Sequence, residues 1–384
     1  MNNETLEKKL KKELDEITEK VQRPNILLAG ETGAGKSSLV NLIFGKNVAK
    51  VGTGSPVTQN LDIYDNPQMS VCLYDSRGYE LGSEGEKAFL HDVLDRAVDG
   101  SMPPEKQIHL IWYCVRASGH RVTDYDISSI KILTQKKFPV ALIFTQSDLV
   151  TENEITEMAK CVQELNIPFF QTSATKPAYF SDSLKKMIEW SCEQLPERLK
   201  EAFISAQHCN LEKKWEHAHS LIIQHCTLAF ATGFAPIPMS DAPLLVANQM
   251  ALLARVFKNY DLDSYEELLK SAGLSSIIGS LMSMLGKSAV GAILKFIPGI
   301  GTLVGGLISG SVAAVLTGAL GEAVSLACYK LSQAILEGNK EKIDELMQNF
   351  GKHIVETASE MIKKKIEIDK LKCPDETSSK EKKK

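Results

Sequence analysis

The residues best suited to chemistry in this sequence are Gly30, Glu31, Thr32, Gly33, Ala34, Gly35, Lys36 and Ser37, which meet the spacing G-x-x-x-x-G-K-[ST]. Each residue type has a physical reason to be there. Glycine lets the backbone turn its N–H groups inward around an anion, and a helix starting behind the loop adds its positive end. Lys36 supplies a cation for the β- and γ-phosphates of a nucleotide, and the Ser37 hydroxyl suits Mg²⁺. Ser38 adjoins the same cradle.

A phosphate loop does not choose a base; that choice needs groups further along the chain. Thr145, Gln146, Ser147 and Asp148 close an apolar run. The Asp148 carboxylate can accept two hydrogen bonds, from the guanine N1–H and its exocyclic amine, a donor pair that adenine lacks. Ser173 and Ala174 follow the last apolar run and offer a backbone N–H to the guanine O6. Asp75 to Gly78 read D-x-x-G, with Asp75 placed to hold Mg²⁺ through water and Gly78 to bond the γ-phosphate. Thr58, in Ser55-Pro56-Val57-Thr58, is the candidate that reaches Mg²⁺ only when the γ-phosphate is present. The expected catalytic set is Lys36, Thr58 and Gly78, and the expected metal set is Ser37, Thr58 and Asp75. GTP or GDP with Mg²⁺ is the ligand these residues predict.

Such groups must be held at strand ends, and the pattern supplies strands. Apolar runs at 25–29, 61–64, 70–74, 108–115, 140–145 and 168–171 alternate with amphipathic stretches at 36–44, 84–98, 124–135, 152–165 and 181–194. That alternation predicts an α/β fold, a mostly parallel sheet covered on both faces. A charged amphipathic helix over residues 1–23 precedes it. After Pro196 the strand signal stops, and 197–371 reads as a second, all-helical domain with segments at 198–231, 241–258, 264–271, 274–335 and 338–370. The Lys-rich tail 372–384 is expected to be disordered.

On these motifs, residues 24 to about 195 resemble a P-loop GTPase of the Era, TrmE and septin-like class. The phosphate loop and the leading helix are also similar to the immunity-related GTPases. The stretch Gly233 to Asp241 resembles a helical domain of unknown function that follows such domains in bacterial proteins. The resemblance implies hydrolysis of GTP to GDP and phosphate, Mg²⁺ dependence, a switch-like role and a homodimer through the G domain. Three positions depart from it. Gln146 stands where the guanine motif carries lysine, Tyr79 follows Gly78 where Ras-like enzymes place a water-orienting glutamine, and Gly33 stands where potassium-dependent relatives carry asparagine. Arg77 reads as a surface ion-pair residue. The Tyr79 position predicts slow intrinsic hydrolysis, stimulated by self-association or a partner. A nucleotide-stabilised interaction module with little turnover, and a ribosome-assembly type of GTPase, are the rival readings.

The helical half contains an apolar, Gly-rich segment, 288–329, in which residues 296–321 carry no charge. Its length can span a bilayer, and its small-residue spacing suits close helix pairing. A buried helical hairpin has the same composition, so core and membrane readings both stand. His208, Cys209, His217, His219, His225 and Cys226 fall in one predicted helix, but no pair is three or four residues apart, so zinc is not expected. Trp112 and Trp215 read as packing residues. The 384 residues exceed one ordinary core, and a formal charge of -4 argues against nonspecific nucleic-acid binding by the whole chain; no specific nucleic acid is expected as a partner. Eight cysteines without a regular framework and a charged N-terminus point to the cytoplasm, with membrane association left open.

Overall fold

The computed structural model describes residues 22–45, 61–64, 69–76, 107–232, 241–262 and 310–372. The chain divides into two compact units, with the division between Lys213 and Lys214.

The first unit is built on a six-stranded sheet. Its strands are β1 (Asn25–Ala29), β2 (Leu61–Tyr64), β3 (Cys72–Ser76), β4 (Leu110–Arg116), β5 (Val140–Thr145) and β6 (Phe169–Gln171). They lie in the order β2-β3-β1-β4-β5-β6. All neighbours are parallel except β2, which pairs antiparallel with β3. Both faces of β1 are covered, which is why it reads as an unbroken apolar run. Alternation splits its side chains between two cores. Ile26 and Leu28 join Trp112, Cys114 and Ile143 on one face, while Leu27 and Ala29 join Tyr113, Val115 and Phe144 on the other.

Helices α1 (Lys36–Phe44), α2 (Asp124–Gln135), α3 (Glu152–Lys160) and α4 (Ser181–Gln194) cover the sheet. Helices α2 and α3 start at capping boxes, Thr123 with Asp126 and Thr151 with Glu154, which satisfy otherwise orphaned N–H groups. Helix α3 is shorter than its apolar pattern, ending at Lys160 before a 3₁₀ turn at Gln163–Leu165. The helix expected at 84–98 lies outside the described residues.

The expected domain boundary at residue 196 is corrected by helix α5 (Glu197–Ala206). Phe203 of α5 is fully buried and makes edge contacts with Trp112 and Phe44, whose own rings stack at 5.9 Å. Burying a ring of that size contributes about 2–3 kcal/mol, so α5 is part of the sheet's core. The expected single helix at 198–231 is likewise two helices. Gln207 and Asn210 bond each other across the break, and Asn210 Oδ1 accepts from the Lys213 N–H. His208 and Cys209 therefore lie outside the helix that carries His217 to Cys226.

The second unit contains α6 (Leu211–Thr232, entering from the first), α7 (Asp241–Asn259), α8 (Gly310–Glu337), α9 (Lys340–Gln348) and α10 (Phe350–Lys372). The expected helix at 338–370 is broken at Asn349, and Lys372, expected in the tail, ends α10. Its core joins Leu252, Phe257, Val324, Cys328, Leu331 and Phe350. Helix α8 runs through that core. A Cβ on Gly321 would lie 2.7 Å from Ile222 Cγ1 and 3.0 Å from Leu252 Cδ2, so glycine there lets α6 and α7 close on α8. Of the uncharged stretch 296–321, residues 310–321 are described, and Ala313, Leu316, Ala319 and Leu320 are buried in protein. Ala313–Glu337 is nonetheless long and apolar enough to cross a membrane, with 56% of its most apolar stretch buried in protein. Trp215 packs edge-on against Tyr329.

Candidate functional site

Strand β1 delivers the chain into residues 30–37 at its C-terminal end. Gly30 has φ +130°, and a Cβ there would sit 2.1 Å from the Cys114 carbonyl oxygen, so the loop leaves β1 pressed against β4. Gly33 (φ +79°) and Gly35 (φ +85°) take the left-handed turns that bring the loop round to α1. Gly35 is the N-cap of α1. No side chain caps it and no acidic residue sits in the first turn, so those N–H groups face an approaching anion without an internal competitor.

Lys36 is buried, and its Nζ donates to the carbonyls of Gly30 (2.8 Å) and Glu31 (3.2 Å). The same Nζ is 4.0 Å from Asp75 Oδ1 at the end of β3. Burial pushes the lysine's pKa down, opposed first by the negative charge of Asp75 and more weakly by that of Glu31. The neighbouring Cys114 thiol is pushed up to about 12 by burial and stays protonated. Ser37 and Asp75 are hard oxygen donors of the kind Mg²⁺ takes, and a Mg²⁺ site usually needs only one or two protein ligands beside phosphate. Among the described residues no group of three or more His, Cys, Asp or Glu could hold a metal alone. Thr58 and Gly78 lie outside the described residues, as do Arg77 and Tyr79.

The base end is assembled from β5 and β6. Thr145, grouped by sequence with the base-contacting residues, turns its hydroxyl to the phosphate loop and donates to the Ala34 carbonyl at 2.6 Å. It thus ties the two ends of the site together. Gln146 has φ +54° and accepts a hydrogen bond from Ser118, in the turn after β4. The Ser147 N–H donates to Thr172 O, and the Thr172 N–H donates to Phe144 O, so the loops after β5 and β6 are pinned together. Asp148 stands at their edge, beside Ser173 and Thr175. The Ser173 hydroxyl, and then that of Thr175, hold the Asp148 carboxyl below its ordinary range, with a smaller pull from Lys176 against slight burial.

Three residues here escaped the sequence reading. Thr175 Oγ1 donates to Asp148 Oδ2 at 2.8 Å. Ser118 orders Gln146. Arg116, at the end of β4, pairs with Glu31 at 3.5 Å across the outer side of the phosphate loop. Only Thr175 left a trace in the sequence, as a hydroxyl directly after Ser173-Ala174.

Residues 25–146 match the family described as 50S ribosome-binding GTPase. These residues are a P-loop GTPase domain. Over 165 residues the chain is 26% identical to a probable GTP-binding protein EngB of Leuconostoc citreum, covering 42% of this chain and 81% of that protein. Human Septin-14 is 24% identical over 163 residues, or 37% of this chain and 38% of the septin. The chain thus spans well under half of the septin's length. A crystal structure of a probable GTP-binding protein engB aligns at 16% identity and a TM-score of 0.32, covering 44% of this chain and 99% of that one, too loose a superposition to inform the site. In the GTPase domain, the sequence-predicted residues from Gly30 to Ser38, Asp75, Thr145 to Asp148 and Ser173 to Ala174 all fall at the C-terminal ends of β1, β3, β5 and β6, on one edge of the sheet. Ligands of open α/β sheets bind at that edge.

Proposed function

We propose that the chain binds GTP through Gly30–Ser38, reads guanine with Asp148, and hydrolyses GTP slowly to GDP and phosphate as a switch. The observation that carries this reading is the convergence on Lys36. A buried ammonium bonded, among the described residues, to its own loop's carbonyls, beside Asp75 and an uncapped helix start, is poised to exchange those carbonyls for phosphate oxygens. Ser37 and Asp75, with Thr58, would hold Mg²⁺, which neutralises charge on the β- and γ-phosphates when bound. Gly78 bonds the γ-phosphate, and Thr58 and residues 75–86 are the segments that report its presence.

The helical unit is the responding part. Its output is association with a second copy through the G domain, with another protein, or with a membrane through the apolar segment 288–329. The described cysteines form no disulfide with one another, which suits a cytoplasmic protein. The test is single-turnover hydrolysis of GTP with Mg²⁺ over a range of protein concentrations. The reading expects a slow rate constant that rises with concentration. A monomer turning over several times per second in dilute solution contradicts slow, assisted hydrolysis, and tight GTP binding without turnover at any concentration favours a nucleotide-stabilised interaction module.

A further inference from the structure

We propose that Thr175 is a positioning residue that sets the guanine selectivity of this site by fixing the plane of the Asp148 carboxylate. The inference rests on the reading of Asp148 given above and extends it to a residue outside the base-binding motifs.

The geometry is a chain of hydroxyls leading from fixed backbone to the carboxylate. Ser173 is 1% exposed and follows Thr172, whose N–H is bonded to Phe144 O at 2.8 Å. Ser173 Oγ accepts from the N–H of Thr175 at 3.2 Å and of Lys176 at 3.0 Å, and lies 3.0 Å from Thr175 Oγ1. Thr175 Oγ1 donates to Asp148 Oδ2 at 2.8 Å. A threonine hydroxyl has one proton, so with that proton on Asp148 its oxygen can only accept, and the single Ser173 proton goes either to Thr175 Oγ1 or to the Asp148 carboxyl that it also helps to hold.

This matters because the last torsion of an aspartate is broad and roughly two-fold, so an unheld carboxylate swings. Guanine presents two donors side by side, and both are met only when both carboxylate oxygens lie in the plane of the base edge. A bond on Oδ2 from the protein fixes that plane, and each carboxylate oxygen keeps a further lone pair for the base. Hypoxanthine presents the ring N–H without the amine. It needs one oxygen, and one oxygen can be supplied from many rotations of the carboxylate. The loss of Thr175's hydroxyl therefore falls more heavily on guanine than on hypoxanthine.

The test is the affinity of the full chain for GDP and IDP, measured by titration with Mg²⁺ for the wild type, Thr175→Val, Thr175→Ala and Thr175→Ser. Val and Ala are expected to weaken GDP about fivefold and IDP less than about twofold, and Ser to keep the wild-type ratio. Equal losses for the two nucleotides, or a Ser variant that behaves like Val, overturn the proposal. Asp148→Asn, titrated with GDP and XDP, keeps the underlying reading separate. An unchanged preference for GDP there sinks the reading of Asp148 and the proposal with it. A preference moved to XDP, together with an unaltered GDP-to-IDP ratio in Thr175→Val, sinks the proposal alone.

Discussion

The phosphate end and the base end of the site are built from different materials. Around Gly30, Gly33 and Gly35 the structure rests on backbone: positive φ angles, a helix start, and carbonyls gripped by one buried lysine. Around Asp148 it rests on side chains near the surface, a carboxylate held by hydroxyls that belong to another strand's loop. Backbone geometry tolerates no substitute residue, so errors at the phosphate end abolish binding. Hydroxyl relays tolerate substitution, so errors at the base end change which nucleotide is preferred.

The largest effect is expected from Gly30→Ala. Its Cβ would meet the Cys114 carbonyl at 2.1 Å in a backbone conformation that side chains rarely adopt. A loss of about 3 kcal/mol or more in stability and no measurable GDP binding are expected, read by chemical denaturation and titration. A variant that still bound GDP tightly would break the contrast at its strongest point. Lys36→Ala sharpens the same end by separating binding from folding. GTP affinity should fall about 100-fold, while stability changes by no more than about 1–2 kcal/mol, because the buried ammonium is costly to desolvate as well as useful.

Asp148→Asn comes next. Its effect should be confined to base choice, exchanging guanine for xanthine preference with no change in the unfolding free energy beyond about 0.5 kcal/mol. Thr145→Val probes the tie between the two ends. It removes the donor to Ala34 O in a buried setting, and a stability loss of about 1–3 kcal/mol with weaker binding of both GDP and GTP is expected. The smallest effect concerns Glu154, whose carboxyl is held below its ordinary range by the Thr151 N–H first, then the Thr151 hydroxyl and His120. Because the folded pKa is depressed, its contribution is complete above the unfolded value of 4.5 and fades as pH falls through the lower folded value. The stability difference between wild type and Glu154→Gln should therefore shrink as the pH falls below the unfolded value of 4.5.

The same contrast explains what could be read from the sequence. Glycine at fixed spacing is demanded by backbone conformation, so Gly30 to Ser37 is legible as a string, and alternating strands and helices make the α/β fold legible with it. Asp148 and Asp75 are legible because each ends an apolar run. Thr175 was not, because its partner is 27 residues away and the loops meet only once β5 and β6 pair. Ser118, bonded to a residue 28 positions on, was hidden for the same reason. The boundary at residue 196 failed on another ground. Helix α5 has the same amphipathic spacing as the helices after it, and spacing says which face is buried without saying against what. The ring of Phe203 against Trp112 and Phe44 assigns α5 to the sheet. Within 296–321, composition could not separate a lipid-facing helix from a buried one, and Gly321 against Ile222 shows why: close helix packing uses the same small residues in either setting.

The most direct test of the central assignment is a competition titration of GDP against ADP on the full chain with Mg²⁺. A phosphate cradle at Gly30–Ser37 joined to a guanine-reading Asp148 requires GDP to bind at least about 100-fold more tightly than ADP. Equal affinity for the two, or binding of neither, would contradict it.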